Sequence, residues 1–236
     1  MKGGESGDAE RRDTEAVKVK ICGLTRTEDA VVAAHAGADY IGAILSAGFG
    51  RSVPLDRAVE YGGETGLPVV GVTVDEGFED LVRIGEEAEL SVLQLHGSEP
   101  PDLIARVRSA GPWKVWKALR VRSADEIIDA LDTYQHVVDG LLLDGWHPEH
   151  RGGSGVRFPW DLLVPLRGRF PDDLTFVAAG GLTPDNIDEA VRRMSPDVVD
   201  VSSGVEITQG VKEPGRVRSF IRGARSAAHD TSREQT

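Results

Sequence analysis

The 236-residue chain has a single cysteine, Cys22. No disulfide can form within it, and a reducing cytoplasm is the simplest setting. No uninterrupted run of about 18 apolar residues occurs, so no membrane-spanning helix is expected. The opening stretch from Met1 to Glu15 is polar and charged. It lacks the apolar middle of a secretory leader, and none is expected. Positive charge is also short. The formal net charge of −12 argues against nucleic acid as a partner, because phosphate backbones attract basic surfaces. An anionic substrate would meet the same unfavourable field, so its site must overcome that field locally.

What is present is a rhythm. Apolar residues make up 40% of the chain, enough for a globular core. Short β-branched runs alternate with longer amphipathic stretches. Strands are expected at 17–22, 39–45, 69–74, 91–95, 113–119, 140–144, 175–179 and 198–202. Helices are expected at 27–37, 55–65, 78–88, 101–109, 123–131, 159–166, 184–194 and 213–225. Strands apolar on both faces, each followed by a helix, indicate a parallel sheet covered by helices. Eight such units close into a barrel. The alternative is an open doubly wound sheet, which usually has fewer strands and a glycine-rich first turn. Here the first turn is Cys22-Gly23-Leu24-Thr25, without that glycine pattern. The expected fold class is therefore α/β, a (βα)8 TIM barrel in a single domain over 17–225. Residues 1–16 and 226–236 read as disordered tails. Thr183 before Pro184 reads as a helix N-cap, and Thr25 and Thr27 are both candidates to cap the first helix. Gly37 stands where a helix C-terminal glycine belongs.

In such a barrel the chemistry sits in the loops after the strands. The polar residues at strand ends are Cys22, Arg51, Asp75, Gln94, His96, Arg120, Asp144, Gly180-Gly181 and Ser202-Ser203-Gly204. Taken alone, Cys22 has two readings. A buried structural thiol is the commoner fate of a lone cysteine. Against that, it ends strand one close to a helix start, where the dipole favours a thiolate fit to act as a general base. Asp144 ends the run Gly140-Leu141-Leu142-Leu143. It is either a loop-capping carboxylate or an acid–base group across the mouth from Cys22. One acid and one base facing across a pocket suit a proton-transfer isomerisation that needs no metal and no organic cofactor. The small-residue turns Gly180-Gly181 and Ser203-Gly204 follow the last two strands. They suit either a phosphate cradle of backbone N–H groups or plain turn chemistry. Arg151-Gly152-Gly153-Ser154-Gly155 is a lid or a passive linker. His147 and His150 are too few for a metal site. Trp113, Trp116 and Trp160 read as packing residues, whereas Trp146 either covers a substrate or packs its loop.

Several stretches together resemble the phosphoribosylanthranilate isomerase family. They are Lys20-Ile21-Cys22-Gly23-Leu24-Thr25, Gln94-Leu95-His96-Gly97, Leu142-Leu143-Asp144, Gly152-Gly153-Ser154-Gly155, Ala179-Gly180-Gly181-Leu182 and Val199-Asp200-Val201-Ser202-Ser203-Gly204-Val205-Glu206. They occur in the family's order from Val17 to about Arg225. The resemblance implies a (βα)8 barrel that carries out a cofactor-independent Amadori rearrangement in tryptophan biosynthesis. It implies Cys22 as general base and Asp144 as general acid. Arg51 would engage the anthranilate carboxylate, and Gly180, Gly181, Ser203 and Gly204 would hold the phosphate. Gln94 and His96 are expected among the substrate-binding residues. The implied partner is a small phosphorylated substrate, and the implied protein is a cytoplasmic monomer or homodimer.

Two stretches depart from the family pattern. Leu45 to Arg51 lacks the aromatic-Pro-Lys-Ser sequence before the arginine, and Asp144-Gly145-Trp146-His147-Pro148 is bulkier than usual. Two other functions remain as alternatives. One is a related barrel isomerase acting on another phosphorylated aminosugar, such as the histidine-pathway isomerase. Cys22 counts against it, because those enzymes use two carboxylates. The other is a phosphosugar-binding barrel without catalysis, supported only by the altered loops.

Overall fold

A computed structural model of the chain describes residues 16–145 and 160–234. Its strands and helices alternate: β1 (Lys18–Ile21), α1 (Thr27–His35), β2 (Tyr40–Ile44), α2 (Leu55–Thr65), β3 (Val69–Thr73), α3 (Phe78–Glu87), β4 (Val92–Leu95) and α4 (Pro101–Arg108). Then come β5 (Lys114–Val121), α5 (Ala124–Tyr134), β6 (Gly140–Gly145), α6 (Trp160–Leu163), β7 (Thr175–Ala178), α7 (Ile187–Met194) and β8 (Val198–Val201). A small antiparallel hairpin, β9 (Glu206–Thr208) and β10 (Val211–Lys212), precedes the last helix, α8 (Pro214–Glu234). Strands β1 to β8 are parallel and close into a barrel in chain order, β8 pairing with β1. The expected TIM barrel is what the chain forms.

Alternation along the strands divides the core. Val19, Ile21, Ile41, Leu93, Val115, Leu141, Leu143 and Phe176 belong to the large cluster under the helices. Val70, Val92, Trp116, Ala118, Leu142, Val177 and Val198 form a second cluster, which fills the barrel. Tyr40 meets Trp116 edge-on there, ring centroids 5.4 Å apart. Each fully buried side chain of this size contributes roughly 1.5–3 kcal/mol. A slip by one residue would exchange the two sets, so burial pins the register. Trp113 and Trp160 are buried under the helices, and Trp116 is buried in the barrel interior.

The floor of the barrel carries a repeated clip. Asp39, just before β2, accepts a hydrogen bond from Val19 N (2.7 Å) on β1. Asp139, before β6, accepts from Val115 N (2.8 Å), and Asp197, before β8, from Phe176 N (2.7 Å). An arginine covers each carboxylate: Arg225 on Asp39, Arg108 on Asp139 and Arg167 on Asp197. The equivalent position before β4 is Ser91, whose backbone N donates to Val69 O (3.0 Å).

Several expectations need correction. The last helix does not end at 225 but continues to Glu234. Val217, Phe220, Ile221, Ala224 and Ala227 continue one buried stripe at helical spacing, which the polar residues between them disguised. Helix α7 begins at Ile187, not at Pro184. Asn186 Oδ1 accepts from Thr183 N (2.8 Å) and its Nδ2 donates to Gly181 O (2.9 Å), so Thr183 to Asn186 form a side-chain-closed turn. Neither Thr25 nor Thr27 caps α1, whose N-cap residue is Arg26. Their hydroxyls donate instead to Gly210 O and Glu60. The sixth helix is a single turn followed by a 3-10 segment from Val164 to Arg169, because Pro165 supplies no N–H for an α-helical bond. Gly37 does follow α1 with a left-handed φ of 93°. The N-terminal tail lies outside the described residues. So does the loop holding Trp146, His147, His150 and the 151–155 glycine run.

Candidate functional site

The strands end together on the face opposite the clips, and the pleat points every second residue inward. That places Cys22, Gln94, Arg120, Asp144 and Asp200 around one cavity of about 340 Å³. Arg51 and Phe49 reach it from the loop after β2, and His96 from the loop after β4. Gly180 and Gly181 line it after β7, and Ser203 and Gly204 after β8. All nine residues named from the sequence as catalytic or substrate-binding therefore meet at this cavity.

Cys22 continues β1 by one residue, its N donating to Val201 O on β8 (2.8 Å). Asp144 lies three strands away around the ring. His96 Nε2 stands 3.7 Å from Asp144 Oδ2, and His96 Nδ1 stands 3.4 Å from Gln94 Nε2. Gln94 Oε1, His96 Nε2 and Arg120 Nε are buried with no hydrogen-bond partner among the described residues. Buried polar atoms left open in a cavity wall are what a polar ligand would satisfy.

Loops seven and eight touch backbone to backbone. A Cβ on Gly204 would overlap Leu182 O, and one on Gly180 would overlap Gly145 N. Gly180 also has φ 83°, which disfavours any side chain. There is no room for a side chain at Gly180 or Gly204, and glycines there let backbone come close to a bound oxyanion.

The thiol expectation needs correction. Helix α1 begins only at Thr27, too far along for its dipole to act strongly on Cys22. Burial pushes the thiol above its ordinary value, although Lys20 and Lys212 pull it down. Arg51 is not a free arm either. Its Nε and Nη2 bond both oxygens of Glu206 (2.8 and 2.7 Å), and Lys212 Nζ bonds the same carboxylate (2.8 Å). Burial pushes Glu206 up, but the two cations outweigh it and leave its carboxyl below the ordinary value.

Residues 19–223 match the family model described as N-(5'-phosphoribosyl)anthranilate (PRA) isomerase. The chain belongs to this family. It is 40% identical to the N-(5'-phosphoribosyl)anthranilate isomerase of Geotalea uraniireducens over 212 residues, which cover 88% of this chain and 98% of that one. The crystal structure of phosphoribosyl anthranilate isomerase from Thermotoga maritima superposes with a TM-score of 0.80 at 34% identity, covering 89% of this chain and 99% of that one. A further crystal structure, of phosphoribosyl anthranilate isomerase in complex with reduced 1-(o-carboxyphenylamino)-1-deoxyribulose 5-phosphate, gives a TM-score of 0.77 at 32% identity with the same coverage.

The loop after β2 is held by two serines. Ser46 Oγ donates to Glu76 (2.6 Å) and accepts from Val74 N (2.9 Å). Ser52 Oγ donates to Ser46 O (2.6 Å) and accepts from Phe49 N (3.1 Å). Two serines thus close the turn and present Arg51 to the cavity. Sequence reasoning missed Lys20, Phe49, Glu206 and Lys212 as site residues, and left Asp200 inside a motif without a role. For Lys20 and Asp200 there was a signal: a charge set between valines or isoleucines in a strand, at the spacing of two that puts Lys20 beside Cys22. For Glu206 the partner Arg51 is 155 residues away in the chain, which no local pattern reveals. Among the described residues no group of three or more His, Cys, Asp or Glu is placed to hold a metal. No helix among them is long and apolar enough to cross a membrane.

Proposed function

We propose that the enzyme converts N-(5-phosphoribosyl)anthranilate to 1-(2-carboxyphenylamino)-1-deoxyribulose 5-phosphate, a step of tryptophan biosynthesis. Asp144 is the general acid and Cys22 the general base. The observation that carries this reading is one cavity holding both groups, with the glycines of loops seven and eight at its edge. The phosphate sits against the backbone of Gly180, Gly181, Ser203 and Gly204. These neutral donors bind an anion despite the overall charge of −12. Arg51 takes the anthranilate carboxylate with the guanidinium N–H groups that Glu206 leaves free, and Phe49 walls the same end. Gln94 and His96 lie beside Asp144 and contact the sugar.

Asp144 protonates the furanose ring oxygen, and the ring opens to a Schiff base. The Cys22 thiolate then removes the proton from C2′, and the enolamine relaxes to the ketone. Each positioned acid or base contributes about 10²–10⁴-fold to such a rate. The lone thiol suits a reducing cytoplasm. All the residues named come from one chain, which suits a monomer or a homodimer equally.

Steady-state turnover of freshly made phosphoribosylanthranilate, with no added cofactor, tests the reading. Cys22→Ala and Asp144→Ala are each expected to lose about 10²–10⁴-fold in kcat. Wild-type rates in both variants would refute the two roles.

A further inference from the structure

The base role of Cys22 raises a physical question. Burial disfavours a thiolate, yet a base must be one when substrate arrives. The surroundings of the sulfur answer it. Lys20 lies two residues earlier on β1, points the same way and is completely buried. Its Nζ bonds Asp200 Oδ1 on β8 at 3.0 Å, across the register pair Lys20↔Asp200. Its stem and the Cys22 sulfur border the same point beside β2. Room for this meeting comes from Gly42 on β2. A Cβ there would sit 2.9 Å from Cys22 Sγ and 3.1 Å from Lys20 Cε. The side chain that Gly42 lacks is the space the ammonium stem and the sulfur share.

The other charges that act on the sulfur come from three elements. They are Asp200 on β8, Lys212 on β10 and Arg51 after β2. Arg51 and Lys212 are both committed to Glu206. Lys20 is committed to Asp200 by one bond, and its remaining N–H groups are available to the thiol.

We propose that Lys20 is the charge partner of Cys22: its buried ammonium, anchored by Asp200, favours the anionic form of the sulfur against the burial that opposes it. Lys20 is thus a positioning residue. It touches no substrate and acts through the base. The proposal rests on Cys22 being that base. It also assigns Asp200 a restraining role, since Asp200 competes with the sulfur for the same ammonium.

The test is a pH titration of the thiolate ultraviolet absorbance in the full chain, with Cys22→Ala as blank, alongside the rate of iodoacetamide alkylation. Lys20→Met is expected to move the midpoint up by about 1–3 pH units and to slow alkylation at neutral pH about ten-fold or more. Asp200→Asn is expected to move it down. Lys20→Arg, which keeps the charge, is expected to stay near wild type. Should Lys20→Met fail to fold with Asp200 unpaired, the double variant Lys20→Met/Asp200→Asn removes both charges. Its midpoint is expected to lie above that of Asp200→Asn alone. Equal midpoints in those two variants, or an unmoved midpoint in Lys20→Met, would overturn the proposal. The acid limb of kcat/KM separates the two ideas. If it moves with the thiol titration, both stand. If the thiol moves and the rate profile does not, the charge coupling stands and the base role of Cys22 fails.

Discussion

Replacing Glu206 with glutamine probes the least local part of the site. The carboxylate is 5% exposed and faces Arg51, 12% exposed, and Lys212, fully buried. Glu206→Gln keeps the shape and removes the charge. Two cations then share a buried space with no anion between them, and the new amide turns an N–H group toward donors. Removing one partner of a buried pair costs about 3–5 kcal/mol. For a chain of this size, that is a drop in Tm of roughly 6–20 °C. Adding Lys212→Met removes one stranded cation and is expected to restore part of the loss. Arg51 also loses the brace that aims it, so kcat/KM is expected to fall about 10–100-fold, the worth of one charge-assisted hydrogen bond.

The pH dependence has a sign. The folded-state value of Glu206 lies below its ordinary 4.5. Its contribution is therefore full above that value and lost as pH falls through the folded one. Wild type and Glu206→Gln should thus converge in stability at acid pH and separate above it. Thermal or urea unfolding across the acid range, with steady-state kinetics at neutral pH, measures all of this. A variant within about 1 kcal/mol of wild type at neutral pH would refute the reasoning.

Three further substitutions test other parts of the molecule. Gly180→Ala would force a side chain into the space of Gly145 N at a φ of 83°. KM for the phosphorylated substrate should rise by about ten-fold or more, with stability down by roughly 1–3 kcal/mol, and an unchanged KM would remove loop seven from the phosphate site. Glu99→Gln breaks a buried pair in which Glu99 accepts from Lys117 Nζ (2.9 Å), Gly97 N and Asp75 N. The loops carrying Asp75 and His96 should loosen, seen as faster amide exchange at Gly97 and Ser98 and a Tm lower by several degrees, and protection equal to wild type would argue against the hub. Ser91→Asp supplies the missing floor carboxylate opposite Val69 N. It should stabilise the barrel by about 1 kcal/mol without changing kcat, and a lower Tm would mean that the floor positions are not equivalent.

The barrel was legible because its strands are apolar on both faces, which only a sheet covered on both sides explains. The mouth was legible as far as chemistry stands at strand ends, where Cys22, Asp144 and the glycine pairs lie. Legibility stopped where partners are distant in the chain. Thr25 and Thr27 look like caps, yet their hydroxyls serve Gly210 and Glu60. Arg51 looks like a free binding arm, yet Glu206 holds one edge of it. The acidity of Cys22 was misjudged for the same reason. The local turn suggested a helix dipole, whereas burial and the ammonium of Lys20 set the balance. The tail beyond 225 failed on composition: its polar residues masked the continuation of α8, whose buried stripe reaches Ala227.

The clips beneath the barrel carry a different consequence. Asp39, Asp139 and Asp197 join β1 to β2, β5 to β6 and β7 to β8. Seen down the axis, this is a fourfold pattern with the place of Ser91 unfilled. Three of the four strand pairs close their own piece of floor with a carboxylate, and among the described residues none joins β4 to β5 or β8 to β1. The barrel is therefore built as a set of two-strand repeats with seams between them. Halves cut at those two seams would each keep whole repeats, and they are the fragments expected to reassemble when mixed.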